Sequence, residues 1–347
     1  MPRAVLLFAA TAFLLFSCRK PDTQVSRGIY HWQTRLSLSQ EERVYLNQLG
    51  IRKLYVRFFD ADWDPDLQEV VPLAQVLIDS ASLDRSWTVT PCIFIANRAI
   101  RNLPQDQIGL LAKRIQTKIE DLAKTLPAHT SIPEVQIDCD WTASTRQAYF
   151  LLLQRLKEGF GQRSWQLSVT IRMHQLKYPD QTGVPPADRG MLMAYNTGRL
   201  EDWEETNSIF SEEQIAPYLK GLAPYPLPLD LALPAFRWGV VFRDGRLIRL
   251  VHGLDQSALR DSARFLETDS NRFVVRKSTY IEGYYLYQGD RIRLEEAGAR
   301  EMELAAGRLA PVFGKAPSLT VAVYHLEPSL LQRIPHETMV HVFETFR

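Results

Sequence analysis

Cysteine is scarce in this chain, with three among 347 residues, at positions 18, 92 and 139. So few thiols give no disulfide framework, and no Cys-x-x-Cys pair is present to hold zinc. The seven histidines are scattered and form no His-Glu-x-x-His motif, so no metal is expected. There is no glycine-rich phosphate loop and no Gly-x-Ser-x-Gly elbow, which argues against P-loop nucleotide chemistry and a serine hydrolase of that type. No cofactor is expected. A surplus of either charge is also missing. The formal net charge is +1 with both signs spread along the chain, so no nucleic-acid partner is expected. Internal repeats and low-complexity tracts are absent, and no apolar run is long enough to span a bilayer.

What is present begins at the N-terminus. Arg3 precedes an apolar run from Ala4 to Phe16, the size of a signal-peptide core. The run ends in Leu15-Phe16-Ser17-Cys18, which resembles the bacterial lipobox, where the Cys is acylated and becomes the new terminus. The expected organisation is a lipoprotein signal over 1–17, a tether over 18–27 and a folded domain over 28–347. Several acyl chains on Cys18 would anchor the protein stably, since each buried CH₂ contributes roughly 0.8 kcal/mol. The expected location is the bacterial cell envelope, lipid-anchored, at the outer membrane in a Gram-negative cell. A plain secretory signal, with Cys18 incidental, is the alternative.

From Gly28 onward strand and helix patterns alternate. Strands are predicted at 28–32, 53–59, 87–96, 135–142, 165–174, 190–196, 229–236 and 318–325. Ser39-Gln40-Glu41-Glu42 is a capping box opening a helix that Gly50 can close, and helices are also predicted around 70–83, 105–126, 144–160 and 211–220. This rhythm favours a (β/α)₈ TIM barrel or a doubly wound sheet. It breaks at Arg237, where a strand pair turning at Asp244-Gly245, a helix over 255–266, further strands over 271–294 and a helix over 295–312 are predicted. An α+β insertion between strands seven and eight, about 237–317, explains the break. Cys92 and Cys139 lie in apolar strands and are expected to be buried free thiols.

The run Val135 to Thr142 puts Gln136, Asp138 and Asp140 on one strand face. Aspartates are poor strand formers, and two at i and i+2 repel unless a cation, a shared proton or hydrogen bonds hold them. At the open end of a barrel strand such a stripe faces the cavity where barrel enzymes work. Arg172, on the next strand, is the natural counter-ion, and His174 shares its parity. Tyr195 shares a face with Met191 and Met193. Trp32, Tyr30, Trp238 and Tyr324 fall near strand ends where rings stack on sugars or simply pack, and Arg57 can join the carboxylates or bind an anion. Asp60, Asp62, Asp64 and Asp66 alternate in a loop, but Pro65 and Val71 break the EF-hand register. A solvated acidic loop is expected there.

Three motifs, in order, carry a family resemblance. Asp138-Cys139-Asp140-Trp141 resembles the end of the fourth-strand Asp-x-Asp-x-Glu motif of glycoside hydrolase family 18, the chitinase-like family. Met191-Leu192-Met193-Ala194-Tyr195-Asn196 is similar to its sixth-strand Met-x-Tyr-Asp motif. Leu231-Ala232-Leu233-Pro234-Ala235-Phe236 is similar to its seventh-strand Gly-x-Pro-x-Tyr run. The resemblance covers most of Gly28 to His325 and implies a TIM barrel with a sugar-shaped cleft. Taken with the strand-face reading above, it makes Asp138, Asp140 and Tyr195 the candidate catalytic residues, and Arg57, Arg172, His174, Met193, Asn196, Trp32 and Trp238 the candidate substrate-binding residues. It also places Thr142 where the family has its acid glutamate, and Val135 where it has its first aspartate. A threonine hydroxyl cannot serve as general acid at neutral pH; Thr142 is instead expected to cap the following helix. The expectation is therefore a membrane-anchored, carbohydrate-active lipoprotein that binds a glycan or oligosaccharide and hydrolyses it with a non-standard acid such as Asp140, Asp60 or His174. The alternative is a non-catalytic glycan-binding or envelope scaffold protein that keeps the hydrolase fold.

Overall fold

A computed structural model describes residues 23–327 and 329–347. The expected signal and Cys18, the expected site of lipid attachment, lie outside the described residues. Eight parallel strands close on themselves: β1 (Gln24–His31), β2 (Lys53–Asp64), β3 (Thr88–Ile95), β4 (Glu134–Asp138), β5 (Gln166–Arg172), β6 (Arg189–Met193), β7 (Leu229–Pro234) and β8 (Ser318–Tyr324). Neighbours in sequence pair in order, and β1 pairs with both β2 and β8, which closes the barrel. β1 begins four residues before the expected Gly28, so Gln24 to Arg27 are strand rather than tether. Their pairing with Ser318 to Val321 explains why.

Alternation along each strand sends one set of side chains to the helices and the other into the barrel. Ile29, Leu54, Val56, Val135, Ile137, Val169 and Ile171 are buried in the outer core. The inward set is unusually polar. At the base Arg189 donates two hydrogen bonds to Asp230 (2.9 and 2.7 Å), and Lys53 faces Glu134 at 3.7 Å. Above them Tyr30 Oη donates to Gln136 Oε1 (2.7 Å). Tyr30 is thus interior packing rather than a ligand contact. Cys92 and Cys139 are free and buried, as expected.

The helical layer includes α1 (Gln40–Gln48), α2 (Ile108–Ala123), α3 (Arg146–Gly161), α4 (Met173–Lys177), α5 (Glu212–Leu219), α6 (Ala299–Phe313) and α7 (His336–Glu344), with short helices at Asn97–Asn102, Pro179–Thr182 and Leu330–Arg333. Ser39 and Glu42 form the capping box of α1, and Gly50 takes the left-handed conformation (φ 68°) beyond its end. The stripe Ile108, Leu111, Ile115, Ile119 and Leu122 of α2 is buried. No helix forms over 70–83. Glu69–Leu73 instead runs antiparallel to the far end of β2, and Ser80–Ser82 is a single 3₁₀ turn. Among the described residues no helix is long and apolar enough to cross a membrane.

Between β7 and β8 the chain builds a five-stranded antiparallel sheet with its own small core around Val241, Val251, Phe273 and Ile292. Asp244 and Gly245 make the expected turn, both at positive φ (50° and 77°), the type I′ geometry that suits a two-residue hairpin. The helix predicted over 255–266 reduces to one 3₁₀ turn, Gln256–Leu259, followed by the strand Phe265–Asp269. Asp255 caps that turn by accepting from Ser257 N, and strand pairing takes over from Phe265. The helical part of the insertion is α6, which packs beside β7.

Candidate functional site

Every barrel strand or the residues just after it contributes to a cleft at the C-terminal mouth. The cavity, about 300 Å³ larger than the apolar groove outside β2, measures about 610 Å³. Trp32, Arg57, Asp60, Phe94, Asp138, Arg172, Met193, Tyr195, Asn196, Phe236, Trp238, His252, Tyr324 and His325 line it. A second, more polar lobe of about 370 Å³ shares Arg172, Tyr195 and Asn196 and adds Asp140, Thr142, His174 and Tyr218.

Asp138 is the last residue of β4 and is 7% exposed. Its Oδ1 accepts a hydrogen bond from Thr170 Oγ1 (2.7 Å) on the neighbouring strand. Burial raises its pKa to about 6; Arg172 opposes the rise, and Asp140 adds to it. Desolvation disfavours the charged carboxylate, and one cation does not restore it. Asp138 is therefore the carboxyl of the cleft that keeps its proton up to about pH 6, well above the usual carboxylate range.

Asp140 does not share its strand. Pairing between β3 and β4 stops at Phe94 and Asp138, so the chain leaves the sheet and Asp140 stands in the following loop with its side chain 50% exposed. Arg172 Nε donates to its Oδ1 at 2.7 Å. The expected counter-ion thus forms, but the aspartates occupy different lobes. β5 also ends sooner than predicted. His174 falls on α4 rather than on the strand, exposed to solvent, and its pKa is lowered by partial burial and by Arg172. That direction does not suit a proton donor. Thr142 does not cap α3 with its side chain. Its hydroxyl lies 2.9 Å from Ser144 Oγ, and its N–H donates to Thr145 Oγ1 at 2.9 Å.

Arg57 and Asp60 differ in parity, yet both reach the cavity. The β2–β3 register shifts between Arg57 and Phe59, and the extra residue of such a bulge turns the following side chains to the other face. Arg57 Nε then donates to Asp60 Oδ1 at 2.7 Å, while its guanidinium lies 5.7 Å from the Trp32 ring centroid. The expected solvated acidic loop is instead mostly strand: Asp60, Asp62 and Asp64 belong to β2 and pair with the return strand Glu69–Leu73, which holds them apart. Asp62 pairs with Arg98, whose hydrogen bonds lower its pKa, and Asp64 accepts from Asp66 N and Leu67 N in the hairpin turn. Among the described residues no group of three or more His, Cys, Asp or Glu is arranged to hold a metal ion.

Aromatic rings form the opposite wall. Tyr195 stacks on Tyr324 (5.1 Å, 22°), and Phe236 meets Tyr195, Tyr324 and Trp238 edge-on at 5.7, 5.6 and 5.2 Å. Trp32 leans on Tyr324 at 5.6 Å. The Tyr195 hydroxyl is buried with no hydrogen-bond partner among the protein atoms, and burial pushes its pKa well up. A neutral donor is thereby available at the cleft.

Sequence reasoning missed Phe94, His252 and His325. Phe94 shares parity with Cys92 on β3, which was a usable signal. His252 faces Trp238 across the insertion hairpin only because a register shift at Val241/Phe242 adds one residue to the count.

No protein-family model matches the chain, and no curated protein matches it in sequence. Solved structures do match in fold. A chitinase from Chromobacterium violaceum superposes with a TM-score of 0.52 at 14% identity, covering 92% of this chain and 98% of that one. The spore cortex-lytic enzyme SleL of Bacillus megaterium gives 0.53 at 14%, covering 94% and 75%. The GH18 chitinase ChiB of Flavobacterium johnsoniae gives 0.50 at 10%, covering 94% of each. The fold is thus a GH18-like TIM barrel.

Proposed function

We propose that this protein is a carbohydrate-active barrel, held at the bacterial cell envelope by lipid on Cys18, that binds a glycan in the mouth cleft and hydrolyses it with Asp138 as proton donor. The observation that carries this reading is the buried Asp138 carboxyl, raised to about 6 at the floor of a cleft walled by aromatic rings. A general acid must hold its proton until the leaving oxygen takes it, so a pKa near the working pH suits the task. Asp138 gives that proton to the glycosidic oxygen, the anomeric C–O bond breaks, and water adds at the anomeric carbon while giving up the proton that restores the Asp138 acid. The ion pairs Arg57–Asp60 and Arg172–Asp140 flank the reacting bond and orient the sugar hydroxyls. Stacking on Trp32 and Trp238 supplies the grip. A second reading, glycan binding without turnover, is favoured by Thr142, whose hydroxyl is engaged with Ser144 where the family resemblance expects an acid.

The test is a panel of chitin-, peptidoglycan-, plant- and host-type oligosaccharides offered to the wild-type protein and to Asp138→Asn and Asp140→Asn variants. Turnover lost in Asp138→Asn is the expected result. Saturable binding without turnover selects the second reading, and neither on the whole panel removes the carbohydrate reading.

A further inference from the structure

Glu295 belongs to the inserted sheet, yet it meets the cleft wall and the loop that follows β6. Its Oε2 accepts from Trp238 Nε1 (2.7 Å) and from Ser208 Oγ (2.5 Å). Its Oε1 accepts from Arg293 Nε (2.6 Å). Arg293 is 0% exposed, and its remaining nitrogens donate to the carbonyls of Asp202 and, at 3.1 Å, Leu200. The loop so gripped starts at Tyr195 and Asn196, and Asn207 Nδ2 donating to Glu296 O (2.7 Å) fastens it again. An arginine–glutamate pair cut off from solvent is a costly way to join two elements, and apolar side chains of the same volume would join them as well or better. What apolar side chains lack is an acceptor for the indole N–H. With it, the Trp238 ring is held edge-on to Phe236 (5.2 Å, 69°) and to His252 (5.7 Å, 68°), and all three line the cavity.

We infer that Glu295 is a positioning residue that fixes Trp238 as a sugar-stacking wall and thereby sets the cleft's preference for longer oligosaccharides. The inference rests on the glycan reading above and deepens it. Trp238 opens the insertion rather than ending a barrel strand, and its ring packs against Phe236 and His252, so we assign it to a sugar unit beyond the one at the reacting bond. A ligand of one or two units does not reach it; a longer chain does.

The decisive comparison uses the full-length protein in three forms: wild type, Glu295→Gln, and the paired replacement Arg293→Met with Glu295→Leu. Each is measured for affinity toward chitin-type oligosaccharides of increasing length and for the indole N–H resonance of Trp238, identified by its loss in Trp238→Phe. Glu295→Gln keeps an acceptor for the indole but strands the buried arginine, so it is expected to be less stable while retaining the length preference. The paired replacement removes the buried charges without leaving one unpaired. It is expected to unfold no earlier than wild type, to shift the indole resonance, and to lose about tenfold in affinity for the longest oligosaccharides alone, the size of one aromatic contact. A merely structural role gives the opposite order, with the less stable Gln variant binding worse, and that order overturns the inference. So does a paired variant that keeps the wild-type preference or weakens equally at every length. Where the paired variant fails to fold, Trp238→Phe decides: it deletes the donor and leaves the ion pair, and an unchanged length preference there also overturns the inference. If the wild-type protein binds no oligosaccharide, the glycan reading falls by itself, and an indole resonance unmoved by the paired replacement overturns the positioning claim as well.

Discussion

The two ends of this barrel solve the same problem in opposite ways. At the base, Asp230 is 1% exposed, receives two hydrogen bonds from Arg189 and a third from Thr320 N (2.6 Å). At the mouth, Asp138 is similarly buried but receives one side-chain hydrogen bond, from Thr170. The arginine nearest to it is committed to Asp140. A carboxylate whose lone pairs are filled is a brace. One that is desolvated and under-supplied keeps its proton to a higher pH instead. Position within the barrel agrees, since the closed end of a TIM barrel serves stability and the open end chemistry.

The contrast can be broken most forcefully at the base. Asp230→Ala leaves Arg189 without its partner and is expected to cost about 3–5 kcal/mol in urea unfolding, the range for one half of a buried pair. A loss below about 1 kcal/mol would remove the brace from the argument.

Asp138→Asn should act with the opposite sign on stability. The folded pKa of Asp138, about 6, lies above the unfolded value near 4. The folded state therefore holds the extra proton in that interval, and wild-type stability falls as pH rises through it. Asparagine cannot ionise. The variant is expected to gain about 2–3 kcal/mol over wild type at pH 7.5 and little at pH 4, read from paired denaturation curves. If the proposed chemistry holds, the same variant loses hydrolysis about 100-fold or more, and wild-type turnover declines above pH 6. A variant less stable than wild type at pH 7.5 would contradict the assignment of a strained proton-bearing carboxyl.

The gentlest test is Asp140→Asn. Its pair with Arg172 is half in solvent, so the change in stability is expected to stay within about 1 kcal/mol. Glycan affinity is expected to fall, because Arg172 loses the contact that aims it across both lobes. A thermal scan beside a titration separates the two effects.

Much of this was legible in the residues, and what was not has a common cause. The capping box of α1, the Asp244-Gly245 turn and the buried stripe of α2 are local, and local chemistry decides them. Arg57, Asp138, Arg172, Met193 and Tyr195 come together on the face that strand alternation gave them, and Trp32, Asn196 and Trp238 join them from just beyond the strand ends. The errors fall where a partner strand decides. Val70, Val71 and Leu73 suit a helix face or a strand, and only the overshoot of β2 selects the strand. β4 stops at Asp138 because β3 gives it nothing further to pair with, which sends Asp140 out of the sheet. The bulge after Arg57 is equally non-local, and it recruits Asp60. The Glu295 clamp joins residues about ninety positions apart in sequence to the β6 loop, and periodicity carries no trace of such a contact.

The overshoot of β2 has one more effect. Its twelve residues extend about 40 Å at strand rise, well beyond the five of β4, and the return strand Glu69–Leu73 fixes the protruding end by backbone pairing. One bank of the cleft is therefore made of sheet before any ligand arrives. The conformational entropy that a mobile loop would surrender on binding has there been given up already during folding. Ligand recognition on that side should behave as a rigid-body event, and its amides from Asp60 to Asp64 should exchange with solvent at the same slow rate whether the cleft is filled or empty.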